Sequence, residues 1–142
     1  MRMALKLADQ AAKHGDVPIG AVVTRGEEVL GAAGNEREHR RDPTAHAEVL
    51  ALRQASERLG GWRLLETTIY VTLEPCPMCA GAITLARVPR LLYGAADPKG
   101  GAVGSVIDLF AEPVVNHRPA VEGGLLADES AALLDSFFSA RR

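Results

Sequence analysis

The chain has 142 residues, of which 47% are hydrophobic, 24% charged and 4% aromatic, and its formal net charge is -2. That length is enough for one domain, residues 1–142, with a core of Leu, Val, Ile and Ala; the slightly acidic balance excludes a broadly basic nucleic-acid coat while leaving room for a local basic patch. No apolar run reaches membrane-spanning length, the start MRMALKLADQ lacks the apolar core and cleavage site of a secretory signal, and neither Cys76 nor Cys79 is free for a disulfide if both bind metal, so a cytoplasmic protein without a membrane partner is expected.

In chain order, Met1, Ala4, Leu5, Ala8, Ala11 and Ala12 form one helical stripe that Gly15 ends. The apolar run Val17–Val23 predicts a strand, and the turn residues Thr24–Glu28 lead to a second strand around Val29 and Leu30, making a hairpin. Asn35 follows that strand at the start of a polar loop, Asn35–Asp42, and has two open readings: it tolerates an unusual turn, or its amide faces a pocket and bonds a ligand. Asp42 or Thr44 is placed to cap a helix running to about Leu59, with Val49, Leu52, Ala55 and Leu59 as core positions, Gly60-Gly61 as its stop and His46 in its first turn.

Thr67–Leu73 reads as a buried strand and the stretch from Cys76 as a helix with Pro77 in its first turn. Val88–Ala95 is the next strand, with Pro89 near its beginning; reached through the Cys helix, it should pair in parallel with the strand before it. Residues Ala96–Phe110 begin as a Gly-rich loop and are expected to turn helical near Ser105. Because active-site loops lie beyond the carboxyl ends of strands, Asp97, Lys99 and Ser105 are pocket-rim candidates, and no Gly-Lys-Ser/Thr closes a phosphate loop here. Residues 111–124, cut by Pro113 and Pro119, hold one more short strand, and Asp128 can cap a last helix whose Leu133, Leu134, Phe137 and Phe138 give an apolar face before Arg141-Arg142.

Two short stretches carry chemistry. His46-Ala47-Glu48 and Pro75-Cys76-Pro77-Met78-Cys79 together offer one imidazole and two thiols, the borderline-soft ligand set that zinc takes. Cys76 and Cys79, three residues apart, share one face of a helix N-terminus, where unpaired N–H groups and the helix dipole favour thiolates. Three protein ligands leave the fourth tetrahedral position to water, which marks a catalytic metal rather than a structural one; a lone Cys-x-x-Cys would instead read as a redox pair. Glu48, two residues from His46, points away from the ligand direction and is better placed to carry protons than to bind metal.

His-x-Glu followed by Pro-Cys-x-x-Cys resembles the signature of the zinc nucleobase deaminases. Over nearly its full length, through VPIGAVV, Asn35, DPTAHAE, YVTLEPCPMCAGAI, GAADPKGGAVGS, NHR and LLDSFF with the terminal arginines, the chain resembles the bacterial tRNA-specific adenosine deaminases of the cytidine/deoxycytidylate deaminase superfamily. The resemblance implies an α/β, three-layer α-β-α cytidine-deaminase-like fold around a five-stranded mixed sheet. It implies one Zn2+ per subunit on His46, Cys76 and Cys79, with Glu48 as catalytic proton shuttle. Asn35, Ala47, Pro75, Asp97, Lys99, Phe138 and Arg142 would bind substrate, with Arg118, Arg141 and Arg40 or Arg41 as further phosphate contacts. It implies a homodimer that deaminates the wobble adenosine, position 34, in the anticodon stem-loop of arginine tRNA to inosine. The alternative is a small-substrate nucleobase or nucleoside deaminase of guanine, cytosine or cytidine type, with the same metal and no RNA surface. Two departures stand out: Ala96 occupies a place where the family commonly carries Arg, and the chain begins directly in its first helix.

Overall fold

The computed structural model describes residues 1–141. Its elements in chain order are α1 (Arg2–Lys13), β1 (Gly20–Arg25), β2 (Glu28–Gly34), α2 (Arg37–Arg40), α3 (Ala47–Leu59), β3 (Thr68–Leu73), α4 (Pro77–Leu85), β4 (Arg90–Ala95), β5 (Ala120–Glu122) and α5 (Ala127–Ser139). The strands form one sheet in the order β2-β1-β3-β4-β5. The β1 strand pairs antiparallel with β2 and β3, whereas β3 to β4 and β4 to β5 are parallel, so the sheet is mixed and α4 is the crossover of a parallel unit.

Side-chain alternation sorts the helices into two layers. Ala21, Val23, Ile69, Val71 and Leu91 point to the face where Ala47, Ala51, Leu52 and Ala55 of α3 and Ala80 and Ile83 of α4 close a buried core. Each fully buried Val, Leu or Ile there stabilises the fold by about 1.5–3 kcal/mol relative to exposure. The opposite face carries α1 and α5, tied to each other by Arg2 and Glu129 at 2.5 Å. Close approach of helix to sheet explains two glycines: a Cβ on Gly20 would overlap the carbonyl oxygen of Ala4 in α1, and one on Gly31 would overlap that of Ala51 in α3. The result is the three-layer arrangement that the family resemblance implies.

Several local expectations are corrected. Residues 17–19 stay outside β1, where Pro18 has no N–H to give to a ladder, and β1 instead runs on to Arg25 through a register shift between Val23 and Thr24. The polar loop after β2 contains the single turn α2. Neither Asp42 nor Thr44 caps α3: the Asp42 carboxylate accepts from the Thr44 N–H at 2.8 Å and its hydroxyl at 2.7 Å, and His46, not a first-turn residue, stands at the N-cap. No helix starts near Ser105; a bridge between Val103 and Asp108 precedes a 3-10 turn at Leu109–Ala111, which Asp108 caps by accepting from the Phe110 N–H at 3.2 Å. The last helix begins after Leu126 (φ 55), so Asp128 lies in its first turn rather than at its cap. Among the described residues no helix is long and apolar enough to cross a membrane.

Candidate metal and catalytic site

The parallel pairing of β3 and β4 and the antiparallel pairing of β1 bring distant chain segments to one end of the sheet. The carboxyl ends of β3 and β4, the start of β1 and the end of β2 all lie there, so Asn35, His46, Cys76 and the loop after Ala95 gather on one rim. His46 and Cys76 occupy equivalent places: each is the extended N-cap residue of its helix, at φ -71, ψ 148 and φ -73, ψ 174. Pro77 follows as the first residue of α4, where its missing N–H needs no partner, and Cys79 comes two residues later. Extended N-caps swing both side chains across the helix ends toward each other.

The His46 Nδ1 atom lies 3.7 Å from Cys76 Sγ and 3.4 Å from Cys79 Sγ, and all three ligand atoms fall within 4.8 Å of one another. With metal–sulfur bonds of about 2.3 Å and metal–nitrogen bonds of about 2.05 Å, tetrahedral zinc places neighbouring sulfur and nitrogen ligands roughly 3.6 Å apart. The donor set therefore fits a zinc ion in type and in spacing. Electrostatics agree. Cys79 bonding to Cys76, helped by the His46 imidazole, pulls the Cys76 thiol down to about 4, while the same contact and burial push the Cys79 thiol up. The bond to Cys76 also raises the His46 pKa. A divalent cation bound by both sulfurs would favour the thiolate form of each. Glu48, the second residue of α3, is buried beside the ligands, and burial raises its carboxyl above the usual range.

Around this corner the substrate-binding candidates separate. Ala47 and Pro75 are buried, and the Pro75 carbonyl accepts from the Ala102 N–H at 2.9 Å. Asn35 is buried with its amide engaged at the edge of hydrogen-bond range, donating to the Val17 carbonyl at 3.3 Å and accepting from the Arg37 N–H at 3.4 Å. Asp97 accepts from the N–H groups of Lys99 at 3.0 Å and Gly100 at 3.2 Å, which folds the loop so that Lys99 and Ala96 stand exposed. Phe138 is 45% exposed and free to meet a ligand, whereas Phe137 is core and lies edge-on to it. The Arg141 guanidinium stacks 3.5 Å from the Phe137 ring centre; Arg142 lies outside the described residues. Arg118 donates to the Glu112 carbonyl, and Arg40 is paired with Glu36.

Two buried carboxylates escaped the sequence reading. Asp16 accepts from the N–H groups of Glu38 at 2.7 Å and His39 at 3.2 Å and faces His14 Nδ1 at 3.1 Å, so it holds α2 against the end of α1. Glu74 accepts from residues of the 97–105 loop. The available signal was an acidic residue wedged between an apolar strand and Pro75-Cys76.

An α-β-α sandwich that brings His-x-Glu and Pro-Cys-x-x-Cys together at two helix N-termini defines the zinc-dependent nucleobase deaminases of the cytidine-deaminase superfamily. A model of the MafB19-like deaminase family matches residues 1–142. The tRNA-specific adenosine deaminase of Agrobacterium fabrum is 48% identical over 142 residues, covering 100% of this chain and 93% of the relative. A solved structure from work on A-to-I editing by tRNA:A34 deaminases at the wobble position of transfer RNA superposes with a TM-score of 0.92 at 48% identity, covering 94% and 97% of the two chains. Guanine deaminase from Bacillus subtilis superposes with a TM-score of 0.67 at 31% identity, covering 99% and 90%. The chain belongs to the family of bacterial tRNA-specific adenosine deaminases.

Proposed function

We propose that this chain is a tRNA-specific adenosine deaminase that hydrolyses the wobble adenosine, position 34, of arginine tRNA to inosine and releases ammonia. The observation that carries the reading is the convergence of His46, Cys76 and Cys79 within 4.8 Å of one another beside a buried Glu48, in a chain that resembles tRNA:A34 deaminases over 94% of its length. His46, Cys76 and Cys79 would hold a zinc ion, which would supply Lewis acidity and make a water easier to deprotonate near neutral pH. Glu48 would take a proton from the attacking water and give it to the adenine ring nitrogen N1 as the O–C6 bond forms, then move the new hydroxyl proton to the exocyclic amine as the C6–N bond breaks and ammonia leaves. Burial raises its carboxyl above the usual range, the direction that favours a group which both accepts and gives protons. Asn35 and the backbone of Ala47 and Pro75 line the base site, with Asp97, Lys99 and Phe138 toward the RNA. An anticodon loop already presents an unstacked base, so no duplex need be opened.

We place the enzyme in the cytoplasm as a homodimer. An apolar groove of about 470 Å³ between α3 and α4, lined by Val49, Leu52, Trp62, Ala82, Leu85 and Ala86, leaves Leu85 68% and Trp62 52% exposed, a surface suited to a second copy.

A small-substrate deaminase is the second reading, favoured by the likeness to a guanine deaminase. Incubating the protein in parallel with total tRNA, free adenosine, cytosine and guanine, and following the products by mass spectrometry, separates the two. Inosine in arginine tRNA is the expected result; efficient turnover of a free base with no inosine in any tRNA would overturn it in favour of the second reading.

A further inference from the structure

The buried Glu74 side chain is 2% exposed and stands between the end of β3 and Pro75. Its Oε1 accepts from the Asp97 N–H at 3.1 Å and from the Ser105 hydroxyl. Its Oε2 accepts from the N–H groups of Val103 and Ser105, each at 3.1 Å. These donors come from both ends of the 97–105 loop, and the middle of the loop makes room for them: a Cβ on Gly101 would overlap the Glu74 carboxyl group. The Ala102 N–H completes the attachment by donating to the Pro75 carbonyl. A buried carboxylate persists only when its lone pairs are filled, and here the loop fills them. Filling space would need no charge; several N–H and O–H donors converging on one side chain require an acceptor on both of its terminal atoms.

We propose that Glu74 is a positioning residue for substrate recognition: its carboxylate is the post around which the 97–105 loop is wound, and it sets the exposed arc bearing Asp97 and Lys99 relative to the metal corner. The link is short, because Cys76 is two residues along the chain from Glu74. The proposal rests on the reading of the substrate as RNA. Glu74 itself touches neither base nor metal ligands, and it acts through the loop.

Glu74→Gln keeps the shape but turns an NH2 group toward the donors, leaving at least one of them unmatched. With the full chain carrying zinc, the variant is expected to raise the KM for an arginine-tRNA anticodon stem-loop about tenfold, with kcat within about twofold and zinc content unchanged. Amide hydrogen exchange at Val103 and Ser105 is expected to accelerate in the same variant, and Ser105→Ala to shift KM in the same direction by less. An unchanged KM in zinc-loaded Glu74→Gln would overturn the proposal. So would equal losses of kcat and zinc, which would make Glu74 a support of the metal site alone. If Glu74→Gln does not fold, Ser105→Ala decides: a higher KM at constant kcat supports the clamp, and unaltered kinetics overturn it. A wild-type chain inactive on the stem-loop would overturn the RNA reading instead. The exchange rates then judge the clamp by themselves, and unchanged protection at Val103 and Ser105 would reject it.

Discussion

At one end of the sheet, His46 and Cys76 stand at the N-caps of two regular helices whose inner faces are sealed in the core by Ala51, Ala55, Ala80 and Ile83. A short distance along the same rim, the 97–105 loop has neither helix nor strand over most of its length and takes its shape from Glu74 and from the Asp97 side chain. The metal corner thus inherits rigidity from packed elements, and the loop inherits it from hydrogen bonds to a single buried carboxylate. A fold arranged in this way can keep its reaction chemistry in a stiff, locally specified part and vary its substrate contacts in a part that depends on few bonds.

The sharpest break in that contrast is removal of a metal ligand. Cys79→Ser is expected to drop zinc from about one per chain to nearly none and to loosen residues 46–79, as read by elemental analysis and thermal denaturation. Full zinc occupancy in this variant would show that the corner is held by something else. Glu48→Ala comes next: zinc and fold are expected to remain while turnover falls by about 10²–10⁴, measured as inosine formed per unit time. Near-normal turnover would move the proton transfers to another group.

Asn35→Ala lies on the boundary between the two regions. Loss of one neutral hydrogen bond is expected to lower kcat/KM by up to about tenfold, without change in zinc content. An effect as large as that of Glu48→Ala would promote Asn35 to a direct part in the reaction. Lys99→Ala is expected to act least: an increase in KM for tRNA of about two- to fivefold, the same kcat, and a salt dependence of binding reduced by about one unit of slope. A fall in kcat would show that the loop reaches into the chemistry.

The spacing of residues along the chain was sufficient for most of the strands and for the parallel crossover through α4, which depend on short-range periodicity and a handedness rule, while the ligand trio and the role of Glu48 rested on donor chemistry and on the motif resemblance. Helix starts were less legible. Asp42 and Thr44 look like caps in any local window, but their side-chain bond to each other forms a turn ahead of α3 and leaves the N-cap to the metal-ligating His46. The helix expected near Ser105 fails for a different reason: the Ser105 N–H is drawn to Glu74, which lies 31 residues earlier in the chain.

The sequence by itself determined the metal-ligand candidates, the first hairpin and the parallel pairing across α4, since ligand chemistry, side-chain alternation and crossover handedness follow from residue type and spacing, whereas the full strand order came from the tertiary structure. Only the tertiary structure decided which carboxylate organises the loop, that Phe137 is core while Phe138 is exposed, and that Asp16 holds α2. Those outcomes depend on which donors and apolar surfaces meet across long stretches of chain, and a buried charge finds its partners only after the layers have closed around it.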